Sequence, residues 1–252
     1  MKKILIIGIG AGHLDYVTIQ AVKAMNEVDV FFLPDKGSNK AQLANIRRDI
    51  CARYATQKPY RMVDFEVPER DRHPSKYDAE VTSWRQSIEM IYERLLNDEL
   101  EDGRCGGFLV WGDPSLYDGT IDIVEHIRAK DGYDIEYEVI PGITSIQALA
   151  ARHRIALNRI GDSIHITTGR RVADDVSNNA DNLVVMLDAQ QSFRQADQDL
   201  DIYWGAYIGT EDEILVAGKL ADVRDEIMRL RAEARARKGW IMDTYLMRKS
   251  GV

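Results

Sequence analysis

An α/β fold in two domains follows from three features of this sequence. Short apolar, β-branched runs alternate with amphipathic helical stretches through the first 158 residues. The alternation then gives way to closely spaced short strands and one long charged helix. Three of the early strands end in glycine stops: Gly8-Ile9-Gly10-Ala11-Gly12, Gly112-Asp113-Pro114 and Pro141-Gly142-Ile143-Thr144-Ser145. Strands alternating with helices build a parallel sheet covered on both faces. The carboxyl ends of such strands are where these sheets hold ligands.

The first domain is read as 1–158. Residues 2–7 are almost wholly apolar, as a strand buried on both faces should be. Residues 18–25 read as a helix with Ile19, Val22 and Met25 on one face, and 28–33 as a second buried strand. Residues 40–53 read as a helix with Leu43, Ile46, Arg47 and Ile50 on one face. A third strand over 61–67 precedes a charged loop between prolines, and 80–96 is amphipathic. Strands are expected at 108–111 and 135–140, with a helix at 121–128 between them and another opening at 144. The second domain, 159–252, is read as a mixed sheet with helices on one side. Its strands fall near 163–168, 182–187, 203–208, 213–216 and 240–246, with the charged helix over 221–237.

Of the 252 residues, 45% are hydrophobic and 29% charged, ordinary for a soluble globular protein. No apolar run approaches the roughly 18–20 residues of a membrane helix. The apolar start is broken at once by glycines, His13 and Asp15, and so reads as strand one rather than a signal segment. A cytoplasmic protein with no membrane partner is expected. Cys51 and Cys105 form no Cys-x-x-Cys, and the five histidines are dispersed, so neither a disulfide framework nor a metal is expected. The net charge of −8 argues against a nucleic-acid partner. It leaves room for an acidic small molecule held by a local basic cluster.

The first glycine stop approaches the dinucleotide fingerprint, with Asp35 in place for a ribose acid. The third glycine of that motif falls at His13, whose side chain obstructs close helix–strand packing. A nicotinamide-dependent oxidoreductase is the alternative from a different class. Asp113 before Pro114 suits a tight turn, and Thr144 and Ser145 suit a helix cap. Each also suits a loop facing a ligand, and both readings stand. Lys36, Lys40, Arg47, Arg48, Arg70, Arg72, Arg170 and Arg171 flank predicted strand ends. They read as a solvated surface or as a rim for a substrate with several carboxylates.

Together with Tyr207-Ile208-Gly209-Thr210, the three glycine stops occur in an order and spacing that resembles the tetrapyrrole (corrin/porphyrin) methylase family over essentially the whole chain. The resemblance implies two α/β domains with a cofactor cleft between them. It also implies S-adenosylmethionine as methyl donor, S-adenosylhomocysteine as its product, a polycarboxylate tetrapyrrole substrate and a homodimer. Carried over by motif position, the cofactor contacts are Ala11, Trp111, Gly112, Asp113, Leu116, Thr144, Ser145, Met186 and Gly209. Phe31-Phe32-Leu33-Pro34-Asp35-Lys36-Gly37, the following Arg47-Arg48-Asp49-Ile50-Cys51, and Ala11 where most relatives carry proline resemble one branch of the family. That branch methylates C-1 of precorrin-5 and releases the extruded two-carbon unit as acetate. A methylase of the same fold acting on another precorrin or on uroporphyrinogen is the alternative within the class. The family's first loop usually continues Gly-Asp; here His13 follows Gly12, and an acid returns only at Asp15.

Methyl transfer from a sulfonium is an in-line displacement that needs positioning and exclusion of water, not a nucleophile from the chain. Acetate release also needs an acid–base group. Asp15, Asp35, His13 and Tyr117, all in loops at strand ends, are the catalytic candidates. Lys36, Arg47, Arg48 and Arg170 are the substrate-binding candidates.

Overall fold

The computed structural model describes residues 1–35, 41–68, 77–172 and 181–250. By its contacts the chain divides into two units, Met1–Gly10 with Leu14–Ile143, and Ala11–His13 with Thr144–Val252. Each unit holds one five-stranded sheet.

The first unit runs β1 (Lys2–Gly8), α1 (Ile19–Met25), β2 (Val30–Asp35), α2 (Ala41–Tyr54), β3 (Arg61–Glu66), α3 (Tyr77–Asp98), β4 (Cys105–Val110), α4 (Thr120–Arg128) and β5 (Ile135–Ile140). All five strands are parallel, in the order β3-β2-β4-β1-β5. Alternation along β1 explains its unbroken apolar run. Ile4 and Ile6 join Ile88, Tyr92, Leu95, Val124 and Ile127 of α3 and α4. Leu5 and Ile7 face the other way, onto Ala21, Met25, Ile50 and Cys51 of α1 and α2. A strand with helices on both faces has no polar side to show. Both cysteines are free and buried.

Strand β4 begins three residues before the expected 108, and the reason is packing. A Cβ on Gly106 would stand 2.8 Å from the Phe32 ring, and one on Gly107 2.8 Å from Val28. The glycine pair leaves room for neighbouring side chains to lie flat on the strand. Phe108 then stacks on Tyr92 of α3, with ring centroids 4.3 Å apart.

The second unit runs α5 (Ser145–His153), β6 (His165–Thr168), β7 (Asn182–Met186), β8 (Leu200–Ala206), β9 (Ile214–Lys219), α6 (Leu220–Lys238) and β10 (Asp243–Lys249). Its sheet has the order β6-β7-β10-β8-β9. Only β6 and β7 are parallel, so the sheet is mixed, as expected. Leu220, Ile227 and Ala234 of α6 pack with Val185, Trp204, Tyr245 and Met247 on one face. The expectation of helices on one side only is corrected by α5, which packs on the opposite face. There Leu149 lies 2.9 Å from where a Gly205 Cβ would stand. Because α5 belongs with this sheet, the division by contacts falls at Ile143–Thr144, ahead of the expected 158.

Under α6 lies a buried polar network. Arg231 donates from Nε to Asp243 Oδ2 at 2.9 Å and from Nη2 to the Asp188 carbonyl at 2.8 Å. Trp204 Nε1 donates to the same Asp243 oxygen at 3.0 Å. The Asp188 carboxylate accepts from the Tyr245 hydroxyl at 2.8 Å and the Ser192 amide at 2.6 Å. Burial pushes the Asp243 carboxyl up, against the pull of Arg231.

Candidate functional site

Three strand-end loops of the first unit meet closely at their glycines. After β1 and β4, Gly10 and Gly112 exchange hydrogen bonds: the Gly112 amide donates to Gly10 O at 2.9 Å, and the Gly10 amide to Gly112 O at 3.2 Å. Gly142, after β5, is packed so tightly that a Cβ there would sit 2.0 Å from Gly112 O and 2.9 Å from Gly8. Any side chain at Gly142 would push these loops apart.

Asp113 locks the arrangement. Its Oδ2 accepts from the Gly142 amide at 2.8 Å, while Oδ1 accepts from the Ser115 amide at 2.8 Å and from the Ser115 hydroxyl. Burial opposes the charge, but the bonds from Ser115 and Gly142 outweigh it and hold the carboxyl below its usual range. The turn reading of Asp113 is thus realised, and the residue does more than turn the chain, because it ties the loop after β5 to the loop after β4. The loop also closes on itself, since the Leu116 amide donates to Asp113 O at 3.2 Å. Trp111 is different. Its Nε1 is buried and has no hydrogen-bond partner among the described residues. A buried donor left open in this way fits a ligand acceptor.

Three large residues hold left-handed backbone directly after strands or in the loops that follow them: Tyr117 at φ 54°, Leu187 at φ 54° and Tyr207 at φ 49°. Such conformations cost about 1–3 kcal/mol each and persist only where neighbours enforce them. Tyr117 sits between Leu116, bonded as above, and Asp118, whose Oδ1 accepts from the Thr120 amide at 2.8 Å. Leu187 precedes Asp188 of the buried network and is 60% exposed. Tyr207 is fully buried, with its amide donating to Met242 O at 2.9 Å. No Gly or Asn marks these positions, so turn chemistry in the sequence does not reveal them.

Of the expected cofactor contacts, Trp111, Gly112, Asp113 and Leu116 belong to the first unit, and Ala11, Thr144, Ser145, Met186 and Gly209 to the second. Thr144 caps α5. Its Oγ1 accepts from the Gln147 amide at 3.3 Å, and Gln147 Oε1 accepts from the Thr144 amide at 2.7 Å. Ser145 is the first helical residue. Met186 ends β7, immediately before strained Leu187. The Gly209 amide donates to Glu213 at 2.9 Å.

The catalytic candidates follow or end three different strands, β1, β2 and β4. Asp15 pairs with Arg53 at 2.8 Å and accepts from the Tyr54 hydroxyl. Asp35 ends β2, and Tyr117 lies in the loop after β4. His13 is exposed and groups with the second unit. Among the basic candidates, Arg48 is paired with Asp64 at 2.6 Å, and Arg170 is exposed in a 3-10 turn after β6. Lys36, Lys40, Arg70 and Arg72 lie outside the described residues.

Arg47 requires a correction. It does not belong to a solvent rim: it is only 6% exposed. Its place on the face of α2 shared with Leu43 and Ile50 turns it into the protein. There Nε donates to Leu109 O and Nη1 to Leu43 O, each at 3.1 Å. Its guanidinium also lies 5.9 Å from the Trp111 ring centre.

The strand order removes the dinucleotide alternative. In the doubly wound dinucleotide fold β1 lies next to β2. Here β4 stands between them, so Asp35 ends a strand that is not adjacent to β1.

The family model of the tetrapyrrole (corrin/porphyrin) methylases matches residues 3–224. A precorrin-6A synthase [deacetylating] from Sinorhizobium sp is 52% identical over 250 residues, covering 99% of this chain and 96% of that protein. The crystal structure of a cobalamin synthesis related protein (CobF) from Corynebacterium diphtheriae aligns over 99% of both chains, with a TM-score of 0.82 and 34% identity. The uroporphyrin-III C-methyltransferase of Thermus thermophilus, solved with S-adenosylhomocysteine, shares the fold, with a TM-score of 0.62 and 15% identity over 98% of this chain and 97% of that one.

Proposed function

This chain belongs to the tetrapyrrole (corrin/porphyrin) methylase family, and from that premise we propose that it acts as a precorrin-6A synthase (deacetylating). It transfers a methyl group from S-adenosylmethionine to C-1 of precorrin-5 and releases acetate. The observation that carries this reading is the 52% identity to the Sinorhizobium synthase across nearly the full length of both chains. The more distant family members, which act on other tetrapyrroles, share about a quarter of their residues with it.

When bound, the cofactor supplies an electrophilic methyl on a sulfonium. The chain's part is to bind, orient and exclude water. In our reading Trp111, Gly112, Asp113 and Leu116 of the first unit, with Ala11, Thr144, Ser145, Met186 and Gly209 of the second, hold that cofactor. The open Trp111 indole N–H is the donor best placed to take a ligand acceptor. Asp113 also braces the loop it belongs to through the bonds its two oxygens accept from Ser115 and Gly142. A tetrapyrrole bearing several carboxylates is the partner, and Arg48, Arg170 and Arg171 are the described basic residues left from the expected rim. Acid–base chemistry for acetate release rests with Asp15, Asp35, His13 or Tyr117. The enzyme works in the cytoplasm as a homodimer in this reading. No helix among the described residues is long and apolar enough to cross a membrane.

The test is turnover of purified precorrin-5 with methyl-labelled cofactor, read by mass spectrometry for the corrin and by NMR for acetate. Label at C-1 with an equimolar amount of acetate is expected. Methylation of a different precorrin in preference to precorrin-5 would overturn the reading.

A further inference from the structure

Within the first unit, between β2, β3 and β4 on one side and α3 and α4 on the other, lies a cavity of about 130 Å³. That is about ten times the roughly 10–15 Å³ needed to hold one water. Its wall is part apolar and part polar, with Phe65, Tyr92 and Phe108 among the lining residues. Its polar side chains are Arg47, Arg85, Asp118 and Thr120, together with the Tyr92 hydroxyl and the Trp84 indole N–H. Arg85 is paired with Asp122 at 2.6 Å. Asp118 accepts from the Thr120 amide.

Arg47 is the unusual member. Nε and Nη1 bind main-chain oxygens, while Nη2 has no hydrogen-bond partner among the described residues. Burial depresses the guanidinium to about 10, and the nearby Asp118 charge works against that fall. At neutral pH the group stays charged. A buried cation with an open donor edge on a cavity partly walled by aromatic rings is unsatisfied until an anion or water reaches it.

We propose that this cavity is a short-carboxylate site headed by Arg47. A carboxylate offers an oxygen to the free Nη2 edge, and the methyl or methylene behind it lies against the aromatic wall. Sulfate or phosphate carries oxygens on every side and would press some of them onto Phe65 and Phe108. The proposal deepens the function above and rests on it for the source of the ligand, which is either the freed acetate or a carboxylate arm of the macrocycle.

The experiment titrates carbon-13 acetate into the full chain without cofactor or substrate and follows binding by saturation-transfer NMR. Acetate binding in the wild type is expected to weaken at least tenfold in Ile123→Phe, which fills the cavity from α4 without touching Arg47. It should weaken similarly in Arg47→Lys, which keeps the charge and loses the fork. Sulfate should fail to displace acetate. Equal acetate affinity in wild type and folded Ile123→Phe, or displacement by sulfate, overturns the proposal. With precorrin-5 present, acetate inhibition that is noncompetitive with substrate assigns the cavity to the freed product. Competitive inhibition with a raised KM in Arg47→Lys assigns it to a substrate arm, and no inhibition at all overturns the catalytic link. Acetate binding is read without turnover. Binding without C-1 methylation therefore keeps the site and removes the functional reading, and methylation without binding does the reverse.

Discussion

Two buried arginines, one in each unit, are held in opposite ways. Arg231 has a carboxylate partner: it and Asp243 are each 5% exposed, and Trp204 shares the Asp243 oxygen. Arg47 is equally hidden, but main-chain carbonyls take two of its nitrogens and the third faces a cavity. A guanidinium paired with a buried carboxylate is part of a structural lock. One held only by main-chain carbonyls at the wall of a cavity is the one for which we propose a ligand.

The comparison breaks most readily at Arg231. Asp243→Ala would leave Arg231 buried without its carboxylate, a change that costs about 3–5 kcal/mol. Urea denaturation should show this as a large fall in midpoint. Arg47→Met removes a cation with no paired carboxylate and keeps the stem's packing. It should cost about 1–2 kcal/mol for two lost hydrogen bonds. A loss as large as that of Asp243→Ala would show Arg47 to be a lock of the same kind.

A third, smaller contrast sets Asp113 against Asp243. Hydrogen bonds hold Asp113 below its usual value, whereas burial drives Asp243 up. For Asp113 the unfolded chain binds the proton more readily, at a value of about 3.9. Its contribution to stability is therefore present above that value and is lost as pH falls through the lower, folded one. In Asp113→Asn, melting temperature followed from pH 6 to 2.5 should lose that part of the acid-side slope.

Much of the fold was legible because burial on two faces leaves an unmistakable mark. Residues 2–7 and 30–33 show it, and so does the periodicity of α3 and α4. What was hidden follows physical reasons. The start of β4 was hidden because Gly106 and Gly107, which make room for Phe32 and Val28, carry no apolar side chain to mark a strand. Leu187 and Tyr207 carry no turn residue, since tertiary contacts enforce their backbone. Arg47 is the instructive case. Beside Arg48 it reads as surface charge, yet its spacing from Leu43 and Ile50 already places it on the inner face of α2. Adjacent residues on a helix point about 100° apart, so a pair of arginines can serve two different environments. The glycine stops were legible as loops at one sheet edge. That Asp113 braces Gly142 across two of them was not, because no local pattern reports a contact 29 residues away.

The strand order has a consequence for how this chain is made. β1 precedes both of its sheet neighbours in the chain by a long stretch: they are β4, which begins at Cys105, and β5, which begins at Ile135. β2 and β3 can pair with each other as soon as both emerge. Until about a hundred residues beyond β1 have been made, the nascent chain thus carries this apolar strand with both edges open. Closing so long a loop is slow, and an open apolar edge invites pairing with another chain. An interior strand of this sheet is thus made well before either of the strands that flank it, and there the growing chain depends most on being shielded.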